Sequence, residues 1–306
     1  MKPGKAFDVI IIGGGIAGMT AAIYTARANL STVIIEKEVC GGLVNSTHVV
    51  ENFPSYNSIN GMELMEKTLE QIEMLGVEVE SVAEIYRFEI AGKEKLVETE
   101  EAVYTSRAVI LATGRVPVPL PIQTECEQIH YCSICDGTSY KNKDVLVVGG
   151  GNSGFDEALY LRSLGVRNIT LIEMMDNFIA SQTTQGKLLG LENVTALTST
   201  SIKELVEEDR LKAVVLENHV IGSPETVNVD GIFVFIGQKP NTDLFVDVVD
   251  LDPAGYVKAG ENMATNLEGV FSAGDVNQKA YRQITTAMAD GTIAALSAEK
   301  YIRSLA

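Results

Sequence analysis

Residues 7–37, FDVIIIGGGIAGMTAAIYTARANLSTVIIEK, contain the pattern that decides the fold of this chain. A short run of β-branched apolar residues leads into three consecutive glycines, and an amphipathic stretch then continues to Arg27. A second β-branched run comes next and ends at Glu36. This order predicts a strand, a tight glycine turn, a helix and a second strand that ends in an acid.

The uncharged segment 9–26 has another interpretation, as a signal peptide or a membrane span. Four glycines interrupt the segment and Arg27 ends it, so a strand, a turn and a helix explain it better. The interrupting glycines are Gly13, Gly14, Gly15 and Gly18. We therefore predict no membrane segment here.

A second copy of the pattern occupies residues 143–174, KDVLVVGGGNSGFDEALYLRSLGVRNITLIEM. Each copy contains a G-x-G-x-x-G motif, and the two motifs are Gly13/Gly15/Gly18 and Gly149/Gly151/Gly154. The motifs are 136 residues apart, and the acids that end the copies, Glu36 and Glu173, are 137 residues apart. Two copies at a domain-sized separation predict an α/β protein with two Rossmann-like nucleotide-binding domains.

The glycine motifs are typical of dinucleotide binding because each lies between a predicted strand and a predicted helix. The first glycine allows the tight turn, the second lets the backbone approach a pyrophosphate, and the third lets helix and strand pack closely. The phosphates would face the helix N-terminus, and the glutamate 18 or 19 residues after the last glycine would accept hydrogen bonds from a ribose diol. A strand-to-helix turn without a ligand is the alternative for each copy.

The rest of the chain supplies further elements. Residues 61–76 have helical spacing, residues 77–103 alternate as in a small antiparallel sheet, and residues 108–114 form a buried strand. The proline-rich segment 115–121 is the expected linker. A helix is predicted at about residues 283–302.

Composition restricts the function. The chain has 306 residues, 46% hydrophobic and 21% charged, as in an ordinary globular protein of about two domains. Its net charge of −17 argues against nucleic acid and anionic membranes as partners, because both repel an acidic surface. Four cysteines are too few for a disulfide-stapled secreted protein. We therefore predict a cytoplasmic protein that binds neither nucleic acid nor membrane.

Two cysteines lie in the segment CSICD at residues 132–136, which could hold a metal, staple the fold or pass electrons. Cys126 and His130 would complete a zinc set with Cys132 and Cys135, but the H-x-C spacing is unusual for zinc. A structural staple suits a reducing cytosol poorly. Residues i and i+3 of a helical turn are close enough for a disulfide, and a thiolate in a CxxC motif can attack another disulfide. Taken with the surrounding motifs, described next, redox chemistry is the prediction, with no metal site.

Jointly, these motifs resemble those of the low-molecular-weight, bacterial-type thioredoxin reductases, which are FAD-dependent. The resemblance runs nearly end to end and includes the motifs CGGLVNSTHVVENFP (40–54), ATG (112–114), YCSICDG (131–137), VVGGGNSGFDEALYL (147–161), GQKPNT (237–242), GVFSAGD (269–275) and YRQITTAMADGTIAAL (281–296). It implies a discontinuous FAD domain at residues 1–117 and 244–306, and an NAD domain at residues 118–243 that carries the CxxC motif. Each domain would have the three-layer ββα architecture, and the protein would be a homodimer that reduces a thioredoxin-like protein.

The resemblance also implies roles for individual residues. Cys135 would face the flavin, Cys132 would attack the partner's disulfide, and Asp136 would be the acid that manages the thiol proton. The residues implied to bind FAD are Gly13, Gly15, Ala17, Gly18, Glu36, Gly41, Gly42, Leu43, Asn52, Thr113, Gly114, Gly274, Asp275, Arg282 and Gln283. Those implied to bind NAD are Gly149, Gly151, Asn152, Ser153, Gly154 and Glu173. Taken alone, Asp275 could cap the last helix, Asp136 could be a turn residue, and Arg282 could be a solvated surface charge.

One departure from the family pattern concerns the nicotinamide donor. NADPH-dependent members carry several basic residues after the second repeat, whereas this chain has the acid Glu173 followed by MMDNFI at residues 174–179. A carboxylate disfavours a 2′-phosphate and suits a free 2′-hydroxyl, so we predict NADH rather than NADPH. The alternative is a relative that takes electrons from ferredoxin or a deazaflavin.

Two further alternatives remain. A dithiol oxidase that passes electrons to oxygen would also lack the basic site, but such relatives tend to have a histidine after the second cysteine, where this chain has Asp136. A flavin-containing redox sensor or scaffold is the other, and a peroxiredoxin could replace thioredoxin as the substrate. We assign no role to the remaining cysteines and to the histidines, which have no obvious partners in the sequence. These residues are Cys40, Cys126, His48, His130 and His219.

Overall fold

The computed structural model describes residues 2–305, and the chain divides into two compact units. Residues up to Val116, together with those from Lys239 onward, form the first unit, and Pro117–Gln238 form the second. The chain passes from the first unit to the second within β7 (Arg115–Pro117) and returns within β16 (Gln238–Pro240). These two short strands pair with each other. The assignment of the units to FAD and NAD stays a prediction.

The first unit contains a seven-stranded sheet with three long helices. Its strands are β1 (Gly4–Ile12), β2 (Thr32–Ile35), β3 (Glu78–Glu80), β4 (Ile85–Glu89), β5 (Lys95–Thr99), β6 (Val103–Leu111) and β17 (Val270–Ser272). Its helices are α1 (Ile16–Arg27), α2 (Gly61–Met74) and α6 (Ile284–Ser304). The order is β3-β2-β1-β6-β5-β4, and β17 pairs with β6 beyond the end of β5. The predicted strand–turn–helix–strand unit at residues 7–37 is confirmed, and within residues 2–305 no helix is long and apolar enough to cross a membrane.

The prediction of a small antiparallel sheet at residues 77–103 is confirmed for β4 and β5, whereas β3 pairs in parallel and all three strands belong to the main sheet. Residues 78–80 pair in parallel with β2 at one edge of the main sheet. The antiparallel hairpin of β4 and β5 extends the other edge through β6. Alternation along the sequence identified the strands, but their partners are set by neighbours distant in sequence.

Strand β1 is buried on both faces, as is typical of a central parallel strand. Val9 and Ile11 point into a cluster with α1, α2 and α6, while Ile10 and Ile12 point into a second cluster on the opposite face. Gly291 of α6 lies so close to α1 that a Cβ there would overlap the Ala17 carbonyl oxygen. The last helix therefore packs directly on the first, which ties the C-terminal segment to the N-terminal repeat.

The second unit has three layers. A parallel sheet of order β11-β10-β9-β15-β8 has helices on one face and an antiparallel sheet, β12-β13-β14, on the other. Its strands are β8 (Ile129–His130), β9 (Asp144–Val148), β10 (Asn168–Ile172), β11 (Val194–Leu197), β12 (Thr200–Glu207), β13 (Leu211–Asn218), β14 (Pro224–Asn228) and β15 (Gly231–Val234). Its helices are α3 (Ser133–Asp136), α4 (Asn152–Ser163) and α5 (Gln182–Leu189). Val147 packs towards the helices and Leu146 towards the second sheet, so the predicted ββα architecture is confirmed.

Candidate functional site

The glycine turn of the first unit forms a cradle at the start of α1. Gly13 has a φ of +107°, and a Cβ there would overlap the Ala112 carbonyl oxygen, while a Cβ at Gly18 would overlap the Gly13 carbonyl oxygen. A Cβ at Gly15, in contrast, would meet none of the described atoms within 4 Å. Gly15 is also the N-cap of α1, and no described side chain bonds to the first amides of that helix. The turn therefore leaves open space in front of free N–H groups, which fits a pyrophosphate.

Glu36 lies at the end of β2, directly beside this turn. Its Oε2 accepts a hydrogen bond from the Gly14 amide at 2.6 Å, and its Oε1 accepts one from the Glu38 amide at 2.9 Å. A carboxylate has about four acceptor positions, so two amide donors orient it and leave capacity for a ribose diol. This donor set fits an adenosine ribose at the position that the sequence predicts.

The segment after β2 returns to the same cradle. Gly41 has a φ of +126° and donates its amide to the Gly14 carbonyl at 2.9 Å, and Gly42 has a φ of +57°. Leu43 is next in a short 3₁₀ turn, residues 42–44. The backbone conformation requires glycine at Gly41 and favours it at Gly42, which brings the chain close to the open side of Gly15.

Asp275 and Arg115 provide the strongest test of whether this unit fits a bound cofactor. Asp275 Oδ1 and Arg115 Nε are buried, and neither has a hydrogen-bond partner among residues 2–305. Asp275 Oδ2 contacts Arg115 at 3.3 Å, and Lys279 Nζ lies 3.6 Å from Asp275 Oδ1. Because buried polar atoms without a hydrogen-bond partner are costly, these two atoms fit a polar ligand such as the ribityl diphosphate part of FAD. Gly274, with a φ of +85°, lies against α1, since a Cβ there would crowd the Ala17 side chain.

Several other predicted FAD residues of the first unit make side-chain hydrogen bonds or a ring contact. Asn52 donates its side-chain amide to Gln283 Oε1 at 3.1 Å, and Thr113 Oγ1 donates to the Asn241 carbonyl at 2.6 Å. Arg282 stacks over the Tyr256 ring at 4.0 Å. Arg282 is thus not a solvated charge.

The start of α6 shows whether Asp275 caps this helix, which was the alternative interpretation of that residue. Gln283 is the N-cap of this helix and forms a capping box with Thr286. Asp275 therefore does not cap the last helix, and its buried carboxylate stays available for a ligand.

The second unit repeats the cradle with the same geometry. Gly149 has a φ of +119°, and a Cβ there would overlap the Phe235 carbonyl oxygen, while a Cβ at Gly154 would overlap that of Gly149. Around Gly151 the nearest side chain is that of Ile179, 3.9 Å from the position of a Cβ. The turn before α4 therefore also leaves space beside the helix N-terminus.

Glu173 holds its turn as Glu36 does in the first unit. Its Oε2 accepts from the Gly150 amide at 2.6 Å, and its Oε1 accepts from the Met175 amide at 2.9 Å. The loop after Glu173 folds back onto the turn, because the Ser181 amide donates to Asn152 Oδ1 at 2.8 Å. The side-chain oxygen of Asn152 therefore orders this loop, and Ser153 lies exposed in the first turn of α4.

The CSICD segment forms a disulfide on a one-turn helix. Cys132 is the N-cap of α3 and is bonded to Cys135, with a Cα–Cα distance of 5.4 Å. The Cys135 amide donates to Cys132 Sγ at 3.2 Å. Cys135 is exposed and Cys132 is half-buried. Among residues 2–305, no group of three His, Cys, Asp or Glu side chains is placed to hold a metal ion.

A histidine that the sequence analysis left without a partner lies beside this disulfide. His130 Nδ1 is 3.3 Å from Asp136 Oδ2, and His130 Nε2 is 2.7 Å from the Tyr140 hydroxyl oxygen. Burial lowers the pKa of His130, and the nearby Asp136 opposes this shift. Burial raises the pKa of Tyr140 to about 12, so its hydroxyl keeps its proton at neutral pH.

A buried acid of α4 also approaches the CSICD helix. Burial raises the pKa of Glu157 to about 7, and the neighbouring Ser133 acts in the opposite direction. Glu157 Oε2 and Ser133 Oγ are buried, and within the described chain neither atom has a partner in hydrogen-bond geometry. Ser133 therefore influences Glu157 by proximity and not through a formed hydrogen bond.

Comparisons with known proteins agree with this geometry. The family model of the pyridine nucleotide-disulphide oxidoreductases matches residues 7–291. The chain belongs to this family. It is 38% identical to a thioredoxin reductase of Bacillus subtilis over 313 residues, covering 100% of this chain and 98% of the relative. It is 42% identical to a 34.2 kDa protein in the rubredoxin operon of Clostridium pasteurianum, covering 99% of both chains.

Solved structures of thioredoxin reductases have the same fold as this chain. The fold matches the thioredoxin reductase of Lactococcus lactis in its FR conformation with a TM-score of 0.88 at 36% identity, covering 97% of this chain and 99% of that one. A thioredoxin reductase of T. acidophilum matches with the same TM-score, 0.88, at 31% identity, covering 98% and 99%. This family member is thus a flavoprotein disulfide reductase of the thioredoxin reductase type, with FAD as its cofactor.

Three residues of this oxidoreductase were missed by sequence reasoning: Arg115, His130 and Glu157. Arg115 was counted as part of a linker, and nothing local links it to Asp275, which is 160 positions away. His130 carried a usable signal, since it lies six positions before Asp136 and two before the CxxC motif. Glu157 resembles any polar residue of an amphipathic helix until the packing around it is known.

Proposed function

We propose that the protein passes electrons from NADH to the Cys132–Cys135 disulfide and from there to the disulfide of a thioredoxin-like protein. When bound, FAD supplies the two-electron chemistry that connects a hydride donor to a disulfide. Glu36, Asp275 and the glycine cradle of the first unit would hold this group. The observation that carries the choice of donor is the contact of Glu173 with the second glycine turn.

Glu173 supports NADH because its carboxylate is held at the end of β10 by two amides, where an adenosine ribose would lie. A 2′-phosphate would approach this carboxylate closely and be repelled. The next residues offer no compensation, since Met174 and Ile179 are exposed and uncharged. Between Glu173 and Lys187 the sequence contains neither lysine nor arginine. Arginine is the usual partner of such a phosphate, so the site suits a free 2′-hydroxyl.

The dithiol step follows from the sulfur geometry. In the reduced protein, the Cys135 amide that now bonds to Cys132 Sγ would stabilise a Cys132 thiolate. This thiolate attacks one sulfur of the partner's disulfide, forming a mixed disulfide and releasing a thiolate that takes up a proton. Cys135 then loses its proton to Asp136 and attacks Cys132 Sγ. The Cys132–Cys135 bond re-forms, and the partner leaves with both of its sulfurs reduced.

A thioredoxin-like protein is the proposed substrate because several relatives that match along nearly their whole length are thioredoxin reductases. We also propose a homodimer in the cytoplasm. Cys40 and Cys126 are both free, which suits a reducing compartment.

The experiment that tests this proposal is anaerobic stopped-flow measurement of flavin absorbance with NADH and with NADPH at equal concentration. We expect fast bleaching by NADH and slow bleaching by NADPH, followed by re-oxidation when oxidised thioredoxin is added. Equal rates with both nucleotides would overturn the role of Glu173. Bleaching by neither would redirect the search to ferredoxin or a deazaflavin, and re-oxidation by oxygen but not by thioredoxin would favour a dithiol oxidase.

A further inference from the structure

His130 connects the acid beside the CxxC motif to a rigid aromatic cluster. Its ring centroid lies 5.1 Å from that of Phe233 and 5.2 Å from that of Tyr140, and the Tyr140 and Phe233 rings are 5.2 Å apart. His130 ends β8 and pairs in register with Phe233 of β15. The imidazole is thus fixed to the parallel sheet by its backbone and by its ring.

We propose that His130 is a positioning residue for Asp136: it orients the carboxylate that receives the Cys135 proton during dithiol exchange. This inference rests on the proposed disulfide-reductase function of Cys132 and Cys135. It concerns a residue for which the sequence suggested no role.

The two ring nitrogens of His130 have different partners. The Tyr140 hydroxyl oxygen lies 2.7 Å from His130 Nε2, and the tautomer of the imidazole decides which of the two donates. A neutral imidazole that accepts at Nε2 carries its proton at Nδ1. In that tautomer the proton is on the ring nitrogen that lies 3.3 Å from Asp136 Oδ2. A Tyr140 hydroxyl that donates to Nε2 thereby favours the tautomer with its proton beside Asp136.

His130 and Asp136 differ in side-chain exposure, and this difference assigns the positioning role to His130. The His130 side chain is 15% exposed, whereas the Asp136 side chain is 39% exposed and lies at the end of the one-turn helix α3. A buried, packed ring has one orientation, and a half-exposed carboxylate has several. The histidine therefore orients the acid, and the acid remains reachable for a proton from the neighbouring Cys135.

Other charged groups around the cluster do not replace this contact. Lys143 Nζ lies over the Tyr140 ring at 5.0 Å, and Asp230 and Cys126 act on Tyr140 from the other elements packed around it. Burial raises the pKa of the Cys126 thiol, which keeps that group neutral near pH 7. Asp136 is the group that favours the charged form of His130, against the effect of burial. Asp136 is therefore the charged group in contact with Nδ1 of His130.

The proposed step moves one proton from Cys135 to Asp136 and exchanges one disulfide bond for another. Cys135 gives its thiol proton to Asp136, its sulfur forms the bond to Cys132, and the Cys132 bond to the partner's sulfur breaks. The departing sulfur leaves as a thiolate and takes a proton from solvent. Asp136 accepts the proton as a carboxylate, and His130 Nδ1 lies beside its Oδ2 and orients it.

The test compares the pH dependence of thiol reactivity in reduced holoprotein. Iodoacetamide alkylation at Cys132 and Cys135 is counted by mass spectrometry, and exchange with oxidised thioredoxin is followed in parallel, both from pH 5 to 9. In His130→Phe, which keeps a flat ring but no donor, we expect the acid limb of both the alkylation profile and the exchange profile to move up by about one pH unit. His130→Asn keeps a donor near the Nδ1 position and should largely restore the native limb. His219→Asn, at an exposed histidine of the same unit, is the matched control and should leave the profile unchanged.

Superimposable profiles for the native protein and His130→Phe, at equal FAD content, would overturn the inference. If His130→Phe fails to fold, Tyr140→Phe provides the second test. It removes the hydroxyl that favours the tautomer with its proton at Nδ1, so the same limb should move up by a smaller amount, whereas an unshifted limb would overturn the inference. Alkylation needs neither NADH nor thioredoxin. A native protein that shows the His130-dependent profile but no thioredoxin exchange would thus refute the proposed function and not the pairing.

Discussion

Glu173 Oε2 accepts a 2.6 Å hydrogen bond from the Gly150 amide, and Glu36 makes the same contact to Gly14 in the other unit. The two glycine turns are therefore built alike, down to the acid that lies beside each turn. They differ in the loop after this acid, because Glu173 leads into a segment in which Met174 and Ile179 are exposed. Donor specificity is thus expected to depend on this loop.

The first prediction is that the nucleotide preference can be shifted towards NADPH. Met174→Arg combined with Ile179→Arg places two guanidinium groups beside the second cradle, where they can pair with a 2′-phosphate. We expect the ratio of kcat/KM for NADPH over NADH to rise at least about tenfold, equivalent to about 1.4 kcal/mol. Ile221→Arg, at an exposed position elsewhere in the second unit, should leave the ratio unchanged. An unaltered ratio in the double variant would contradict the specificity argument.

The second prediction concerns which cysteine meets the substrate. Cys135→Ser should accumulate a stable mixed disulfide with thioredoxin after reduction, because Cys132 attacks and no resolving thiol is present. Cys132→Ser should trap little or none. Non-reducing gel electrophoresis of each variant with oxidised thioredoxin measures this, and the opposite result would exchange the two roles.

The third prediction separates the two cradles. Gly18→Ala adds a methyl group that overlaps the Gly13 carbonyl oxygen, so the purified protein should lose most of its FAD, with a stability cost of about 1–3 kcal/mol. Gly154→Ala creates the same overlap with Gly149 and should keep FAD but lose bleaching by NADH. The flavin-to-protein absorbance ratio and stopped-flow bleaching distinguish the two effects.

The matched control for these variants is Gly186→Ala. Gly186 lies inside α5, and a Cβ there would meet none of the described atoms within 4 Å. Alanine should slightly stabilise the helix, by up to about 1 kcal/mol. Equal FAD content and equal bleaching by NADH in all three alanine variants would contradict the proposal that the first turn binds FAD and the second binds NADH.

The fourth prediction uses the pH dependence of stability. Burial raises the pKa of Glu157 to about 7, against an ordinary value of 4.5 in the unfolded chain. A raised acid pKa means that the folded state holds a proton that the unfolded state has lost, so stability falls as pH rises from about 4.5 through about 7. Above that range the cost is about 3 kcal/mol.

Glu157→Gln removes this titration and should unfold several degrees higher than the native protein at pH 8. The difference should nearly vanish at pH 5. Thermal unfolding of the holoprotein at both pH values measures it. A gap that is the same at both values would mean that Glu157 is ionised in the folded protein throughout.

Local patterns accounted for much of the fold. The strand–turn–helix units were predictable because Gly13 and Gly149 meet steric limits imposed by backbone conformation and by the adjoining strand. The strands after residue 77 were recognised, but their places in the sheet were not, since pairing β3 with β2 and β5 with β6 depends on distant neighbours. The position of Glu36 at the end of its strand was likewise predictable, whereas the contact of Arg115 with Asp275 joins positions 160 residues apart.

The sequence by itself determined two nucleotide cradles, a redox disulfide and the family, because glycine turns, i,i+3 cysteines and the acids that end the strands act over a few residues. Tertiary structure alone decided the environment of the groups that titrate. His130 gains Asp136 and Tyr140 as partners, and Glu157 loses water, only when β8, α3 and α4 are packed together. Solvation and the direction of a side chain depend on every element that surrounds a group, and a pattern read along one segment contains no such information.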